Sequence, residues 1–184
     1  MSTVVVLLIG AMLVPLILFG IANTYYGIRY RLPFVPSRKA AIRTMLEMGN
    51  VGAHTHVLDL GSGAGDIVIA AARAGARATG VEINPFLIWI ARIRIRLLGL
   101  SDRASIMRGD IFSLPLPHAD LVTLYLPSHK TDELRDKLVR ELPRALVVSH
   151  GYELAGWKPC ARKLGVVAYR VNEVAQLREH SDVA

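Results

Sequence analysis

A chain of 184 residues with 52% hydrophobic content supplies one domain of moderate size and an apolar surplus besides. Its net charge of +7 raises nucleic acid or an anionic membrane as a partner. The single cysteine, Cys160, excludes an intramolecular disulfide and a cysteine-based zinc cluster, and suits a reducing compartment.

The apolar surplus lies at the front. No charged side chain precedes Arg29, and residues 3–22 are 20 consecutive positions dominated by Val, Leu and Ile. At about 1.5 Å each they span roughly the 30 Å of a bilayer core, and Pro15 kinks such a helix without forbidding insertion. A cleaved signal peptide would open on basic residues and close on a small-x-small site, for which Phe19-Gly20-Ile21-Ala22 is a poor match. Residues 1–23 therefore read as one transmembrane anchor and 24–36 as a juxtamembrane connector, with Tyr25, Tyr26 and Tyr30 suited to the headgroup zone. Residues 37–184 are left for the folded domain. Arg29, Arg31, Arg38, Lys39 and Arg43 follow the anchor, so a single-pass protein with its domain on the cytoplasmic side is expected. These charges, with Arg92, Arg94 and Arg96, are accounted for by anionic headgroups. The chain shows no RNA-binding signature, so the bilayer is expected as a partner and nucleic acid is not.

Ser37 stands where a helix cap belongs, before a helix to about Met48 with Ile42, Met45 and Leu46 on one face, broken at Asn50-Val51-Gly52. From His56 onward strands and helices alternate, which predicts an α/β fold with a doubly wound, mostly parallel, Rossmann-like sheet. The first strand, 56–60, carries Asp59 near its carboxyl end and runs into Gly61-Ser62-Gly63-Ala64-Gly65. Ligands of open parallel sheets bind at that end. A dinucleotide fold calls for Gly-x-Gly-x-x-Gly, yet the place of the third glycine is held by Asp66. A carboxylate there, with Asp59 nearby, repels a pyrophosphate and suits S-adenosylmethionine, which carries a sulfonium and an amino group. Glu82 closes the strand 77–81 about twenty residues after the first glycine, where the acid that binds ribose hydroxyls belongs. Strand 105–108 leads into Gly109-Asp110, whose acid is placed to accept from an adenine amino group. Taken alone, Asp59 reads equally well as a helix cap.

The helix after Asn84-Pro85 carries Phe86, Trp89, Ile90, Ile93 and Leu97 at spacings of three and four, a face for the sheet or for the membrane. Arg92 and Arg96 lie beside it, toward solvent or lipid. A fourth strand, 119–126, opens on Asp120, read as structural, and ends at Tyr125-Leu126-Pro127. Residues 144–149 read as a fifth strand and 164–171 as a sixth, paired with a short seventh. His129 and His150 follow strands, and 173–184 is polar.

The glycine run with Glu82 resembles motif I and its partner acid in class I S-adenosylmethionine-dependent methyltransferases. More narrowly, Pro33-Phe34-Val35-Pro36-Ser37, Leu58-Asp59-Leu60-Gly61-Ser62-Gly63 and Glu82-Ile83-Asn84-Pro85-Phe86-Leu87-Ile88-Trp89 resemble the small membrane-anchored protein-lysine methyltransferases of mitochondria. That family modifies the ATP synthase c-subunit and the adenine nucleotide translocase and has prokaryotic relatives. The likeness covers residues 33–159, departs at Ala64-Gly65 where the family often has Asp-Gly, and matches Leu124-Tyr125-Leu126-Pro127 only in outline. It implies that Asp59, Gly61, Ser62, Gly63, Gly65, Glu82, Asn84 and Asp110 hold S-adenosylmethionine. Tyr125 and Pro127 are then the catalytic candidates, no metal is needed, and Trp157-Lys158-Pro159 lies beside the substrate entrance. The activity implied is N-methylation of a lysine of a membrane protein. Methyl transfer to a lipid headgroup amine or another membrane-soluble small molecule suits the same features, and so does a noncatalytic cofactor-binding assembly factor.

Overall fold

The computed structural model describes residues 3–30 and 37–172. The chain divides into two compact units, Met1–Val35 and Pro36–Ala184. The first is one helix, α1 (Thr3–Tyr30). Its stretch Thr3–Arg29 is long and apolar enough to cross a membrane, by length and composition. Residues 24–30, read as connector, are thus helical, and Tyr25 meets Tyr26 edge to face at 5.3 Å. The rest of the predicted connector, 31–36, and the polar segment 173–184 lie outside the described residues.

The second unit is built on seven strands: β1 (His56–Leu60), β2 (Arg77–Glu82), β3 (Ala104–Arg108), β4 (Leu121–Leu124), β5 (Leu146–His150), β6 (Ala161–Lys163) and β7 (Val166–Arg170). Their order across the sheet is β3-β2-β1-β4-β5-β7-β6. The first five run parallel, and β7 is antiparallel to both β5 and β6. Because β2 flanks β1 on one side and β4 flanks it on the other, the chain changes direction across the sheet at β1. The crevice where a ligand sits in such a sheet opens beyond the carboxyl ends of β1 and β4.

The connecting helices are α2 (Lys39–Met48), α3 (Asp66–Arg73), α4 (Pro85–Leu97) and α5 (Ser128–Glu141). Ile42 and Met45 of α2, Val68, Ala71 and Ala72 of α3, and Ile88, Ala91 and Ile95 of α4 share one core with Val57, Ala78, Ile106, Leu121 and Val148 of the strands. Leu134 and Leu138 of α5 are fully buried.

Several elements differ from the sequence reading. Arg38, not Ser37, occupies the N-cap of α2, and its side chain makes no capping bond. The fourth strand is shorter than predicted because Asp120 and Tyr125 bracket the apolar run. Asp120 is structural: its carboxylate accepts from the His56 amide at 2.8 Å, tying the start of β1 to the approach to β4. In α4 the apolar face read from spacing is the wrong one for the core, since Leu87, Ile88, Ala91 and Ile95 are buried and Trp89 is exposed. β6 carries no apolar pattern and all three of its residues are exposed, so only its turn betrays it. Leu164 and Gly165 take φ of 48° and 76°, the paired left-handed values of a two-residue hairpin.

Candidate cofactor and methyl-transfer site

Beyond Leu60 the chain turns through Gly61, Gly63 and Gly65 at φ of 82°, 54° and 82°. The Gly61 and Ser62 amides both donate to the Val81 carbonyl, at 2.9 and 3.0 Å, so the turn is pinned to the end of β2. Gly65 is the N-cap of α3, and a Cβ there would lie 3.1 Å from that of Ala91 in α4; positive φ and close packing both demand glycine. Gly80 of β2 is constrained from the other side. A Cβ on it would lie 2.5 Å from Ser62 Oγ, so the serine under the turn and the glycine in the strand are matched.

Glu82, assigned to ribose hydroxyls from sequence, also builds the turn. Its Oε2 accepts from the Gly63 amide at 2.8 Å, and its Oε1 accepts from the Ile83 and Asn84 amides at 2.9 and 2.8 Å. Oε2 keeps one acceptor position for a further donor. Asn84 is buried and its Oδ1 caps α4 by accepting from the Phe86 amide at 3.0 Å. Its amide nitrogen has no partner among the described residues. Asp110 is brought to the same edge by the Gly109 amide, which donates to the Glu82 carbonyl at 3.0 Å. One Asp110 oxygen accepts from the Phe112 amide at 3.0 Å, and the other has no partner among the described residues.

Asp59 is 3% exposed, and its Oδ1 accepts from the Thr123 hydroxyl at 2.8 Å. Burial pushes its carboxyl up to about 7, the Thr123 bond pulls it back, and the charges of Glu82 and Asp66 raise it further. Asp66 is paired: Arg94 donates to its Oδ1 at 2.7 Å and to the Ala64 carbonyl at 2.6 Å. The repulsion of a pyrophosphate argued from Asp66 therefore falls to Asp59 and Glu82.

Tyr125, Leu126 and Pro127 leave β4 beside this turn. The Leu126 side chain comes within 3.2 Å of where a Cβ on Gly61 would sit. The Tyr125 ring lies 4.9 Å from that of His150 and 6.4 Å from that of Tyr152, so three aromatic rings gather beyond the carboxyl ends of β4 and β5. Pro127 is the N-cap of α5. The structure thus brings Asp59, Gly61, Ser62, Gly63, Gly65 and Glu82 into one bonded turn, with Asn84 and Asp110 at its rim and Tyr125 alongside. Trp157 is buried, edge-on against Tyr169 at 5.8 Å.

Sequence reasoning missed Thr123, Gly80 and Tyr152. Thr123 had a signal, as the one polar residue in Leu121–Leu124. Gly80 had none, because its constraint is Ser62 on another element.

The donor set tests which carrier fits. Two acids at the turn, one of them buried without a cation, together with backbone amides and a buried Ser62 hydroxyl that has no partner among the described residues, favour a positively charged ligand with hydroxyls. The model for the ANTKMT methyltransferase domain matches residues 59–161. The chain belongs to this methyltransferase family. A protein-lysine N-methyltransferase of Saccharolobus islandicus (strain REY15A) is 40% identical over 131 residues, 70% of this chain and 81% of that protein. The adenine nucleotide translocase lysine N-methyltransferase of Mus musculus is 35% identical, over 73% of this chain but 59% of the mouse protein. Among solved structures, an RNA methyltransferase from Salinibacter ruber in complex with S-adenosyl-L-homocysteine superposes with a TM-score of 0.70 at 38% identity, covering 73% of this chain and 91% of that one. As a member of this family the chain is an S-adenosylmethionine-dependent methyltransferase, with the predicted fold and the predicted cofactor.

Proposed function

We propose that this methyltransferase N-methylates a lysine of a membrane protein, held at the bilayer by α1 with its domain on the cytoplasmic side. The observation that carries the acceptor is the cluster of Tyr125, His150 and Tyr152 beside the glycine turn. In this reading Asp59, Gly61, Ser62, Gly63, Gly65, Glu82, Asn84 and Asp110 hold the cofactor, which supplies a methyl group on a sulfonium. The lysine nitrogen must arrive neutral, which from its ordinary pKa near 10.4 costs roughly 4 to 5 kcal/mol at pH 7. Apolar ring faces supply part of that by desolvation. Bound there, the cofactor would give up its methyl group with the carbon–sulfur bond breaking to leave a neutral thioether, and the faces of Tyr125 and Tyr152 stabilise the positive charge that grows on the lysine nitrogen more than in the ground state. The carbonyls near Leu126 and Pro127 orient the amine, and the surplus proton leaves to solvent.

Support for a membrane acceptor comes from the apolar stretch Thr3–Arg29 and from the mouse relative, which is named for a translocase lysine. The test is transfer of labelled methyl groups from the cofactor into isolated membranes, followed by separation of protein, lipid and RNA. Label on a protein lysine is the expected result. Label in lipid overturns the acceptor, and label in RNA, the acceptor named for the Salinibacter neighbour, overturns it as well.

A further inference from the structure

The helix α4 has two apolar sides and buries one. Taking about 100° per residue, Leu87, Ile88, Ala91 and Ile95 fill an arc that faces the sheet, and Phe86, Trp89, Ile93 and Leu97 fill an arc roughly 80° wide on the opposite side. Trp89 is 59% exposed, Ile93 38% and Leu97 80%. The Phe86 and Trp89 rings lie 5.9 Å apart at the start of the stripe. Single exposed apolar side chains are ordinary, whereas a continuous row headed by tryptophan marks a contact surface.

The charges beside the row identify the partner. No acid occurs from Asn84 to Leu100, and arginines stand at 92, 94 and 96. Arg94 is turned away to Asp66, and Arg92 lends two of its donors to the Ile106 carbonyl at 3.3 and 2.7 Å. Arg96, next to the stripe, has no partner among the described residues and is exposed. Tryptophan, branched aliphatics and the unpartnered guanidinium of Arg96 on one side of a short helix are the composition of a helix lying in the headgroup layer of an anionic bilayer. The row from Phe86 to Leu97 is about 17 Å long, too short to span and well suited to lie flat.

We propose that this side of α4 rests in the headgroup region of an anionic membrane. α4 starts three residues after Glu82, so the contact holds the cofactor edge of the sheet at lipid level. This inference stands on the surface of α4 and not on the identity of the methyl acceptor.

Trp89 and Trp157 are the two tryptophans of the chain, and α1 has none, so fluorescence reports α4 and not the anchor. The full chain is reconstituted into phosphatidylcholine–phosphatidylglycerol vesicles containing lipids brominated near the headgroup or near the chain end. The Trp89 signal is the difference between the unaltered chain and Trp89→Phe, which leaves the core untouched. Strong quenching by the shallow bromines, weaker quenching by the deep ones and little by aqueous iodide is the expected pattern. Arg96→Glu combined with Leu97→Glu should cut the bromine quenching by about twofold or more while cofactor binding stays unchanged. Absence of bromolipid quenching of Trp89 overturns the proposal, whether iodide reaches the ring, as it would in water, or does not, as under another protein. Methyl transfer to membrane protein, measured separately, can succeed or fail without altering this reading.

Discussion

Asp59→Asn separates what the fold needs from what the cofactor needs. Burial holds the Asp59 carboxyl at about 7 against an ordinary value of 3.8, and the difference of about three units corresponds to roughly 4 kcal/mol. A carboxyl raised on folding keeps a proton that the unfolded chain has released. The stability that this one group contributes is therefore fully present below about pH 4, falls as pH rises, and is lost above about pH 7. Asn is neutral at every pH and keeps an oxygen for the Thr123 hydroxyl, which is 2.8 Å away. The unliganded variant should thus match the wild type near pH 4 and exceed it by up to about 4 kcal/mol at pH 8, read by guanidinium denaturation in detergent micelles. The cofactor reverses the balance. A cation facing Asp59 draws the carboxyl to its charged form, so near pH 7, where about half the sites are protonated, binding should release roughly half a proton. Titration calorimetry in buffers of different ionisation enthalpy measures that release, and in Asp59→Asn it should disappear and affinity should fall. Equal stability of the two proteins at pH 8, together with buffer-independent binding heats in the wild type, would refute the reasoning.

Glu82→Gln should lower unliganded stability by about 2 to 3 kcal/mol as well as cofactor affinity, because a carboxamide cannot accept all three amides that Glu82 now holds; a residue serving ribose alone would leave unliganded denaturation unchanged. Gly80→Ala should cost about 1 to 3 kcal/mol through its clash with Ser62, and Ser62→Gly in the same chain should restore part of it in a double-mutant cycle. Thr123→Val removes the bond that pulls the Asp59 carboxyl down, so cofactor affinity measured by calorimetry should drop near pH 7 and recover toward pH 9. Tyr125→Ala should reduce kcat about tenfold or more with cofactor Kd unchanged, and Tyr125→Phe, which keeps the ring face, should retain most of the rate.

The parts of this molecule visible in its sequence are those whose partners are near in the chain. His56–Leu60 and its glycine run were readable because a buried strand and a left-handed turn each constrain consecutive residues. Periodicity fixed the existence of α4 but not its orientation, since two apolar arcs of similar width lie on one helix and only the sheet decides which is covered. Arg94 read as part of a basic run, yet its guanidinium is spent 28 positions away on Asp66, a pairing that no local pattern announces.

The same distinction explains how the acids of the site divide their work. Three amides of the turn and of the entry to α4 donate to the Glu82 carboxyl group, so its oxygens are engaged before any ligand arrives. Asp59 has one hydroxyl and two like charges for company, so in the unliganded protein its charge is a liability. In the proposed cofactor site, Glu82 serves the stability of the turn and Asp59 its selectivity. A pyrophosphate adds negative charge to a group already resisting ionisation, whereas a sulfonium and an ammonium supply the counter-charge that the fold withholds. Discrimination between carriers of opposite sign thus follows from a carboxylate left unsatisfied, and it should weaken in parallel with any substitution that gives Asp59 a cation or removes its charge.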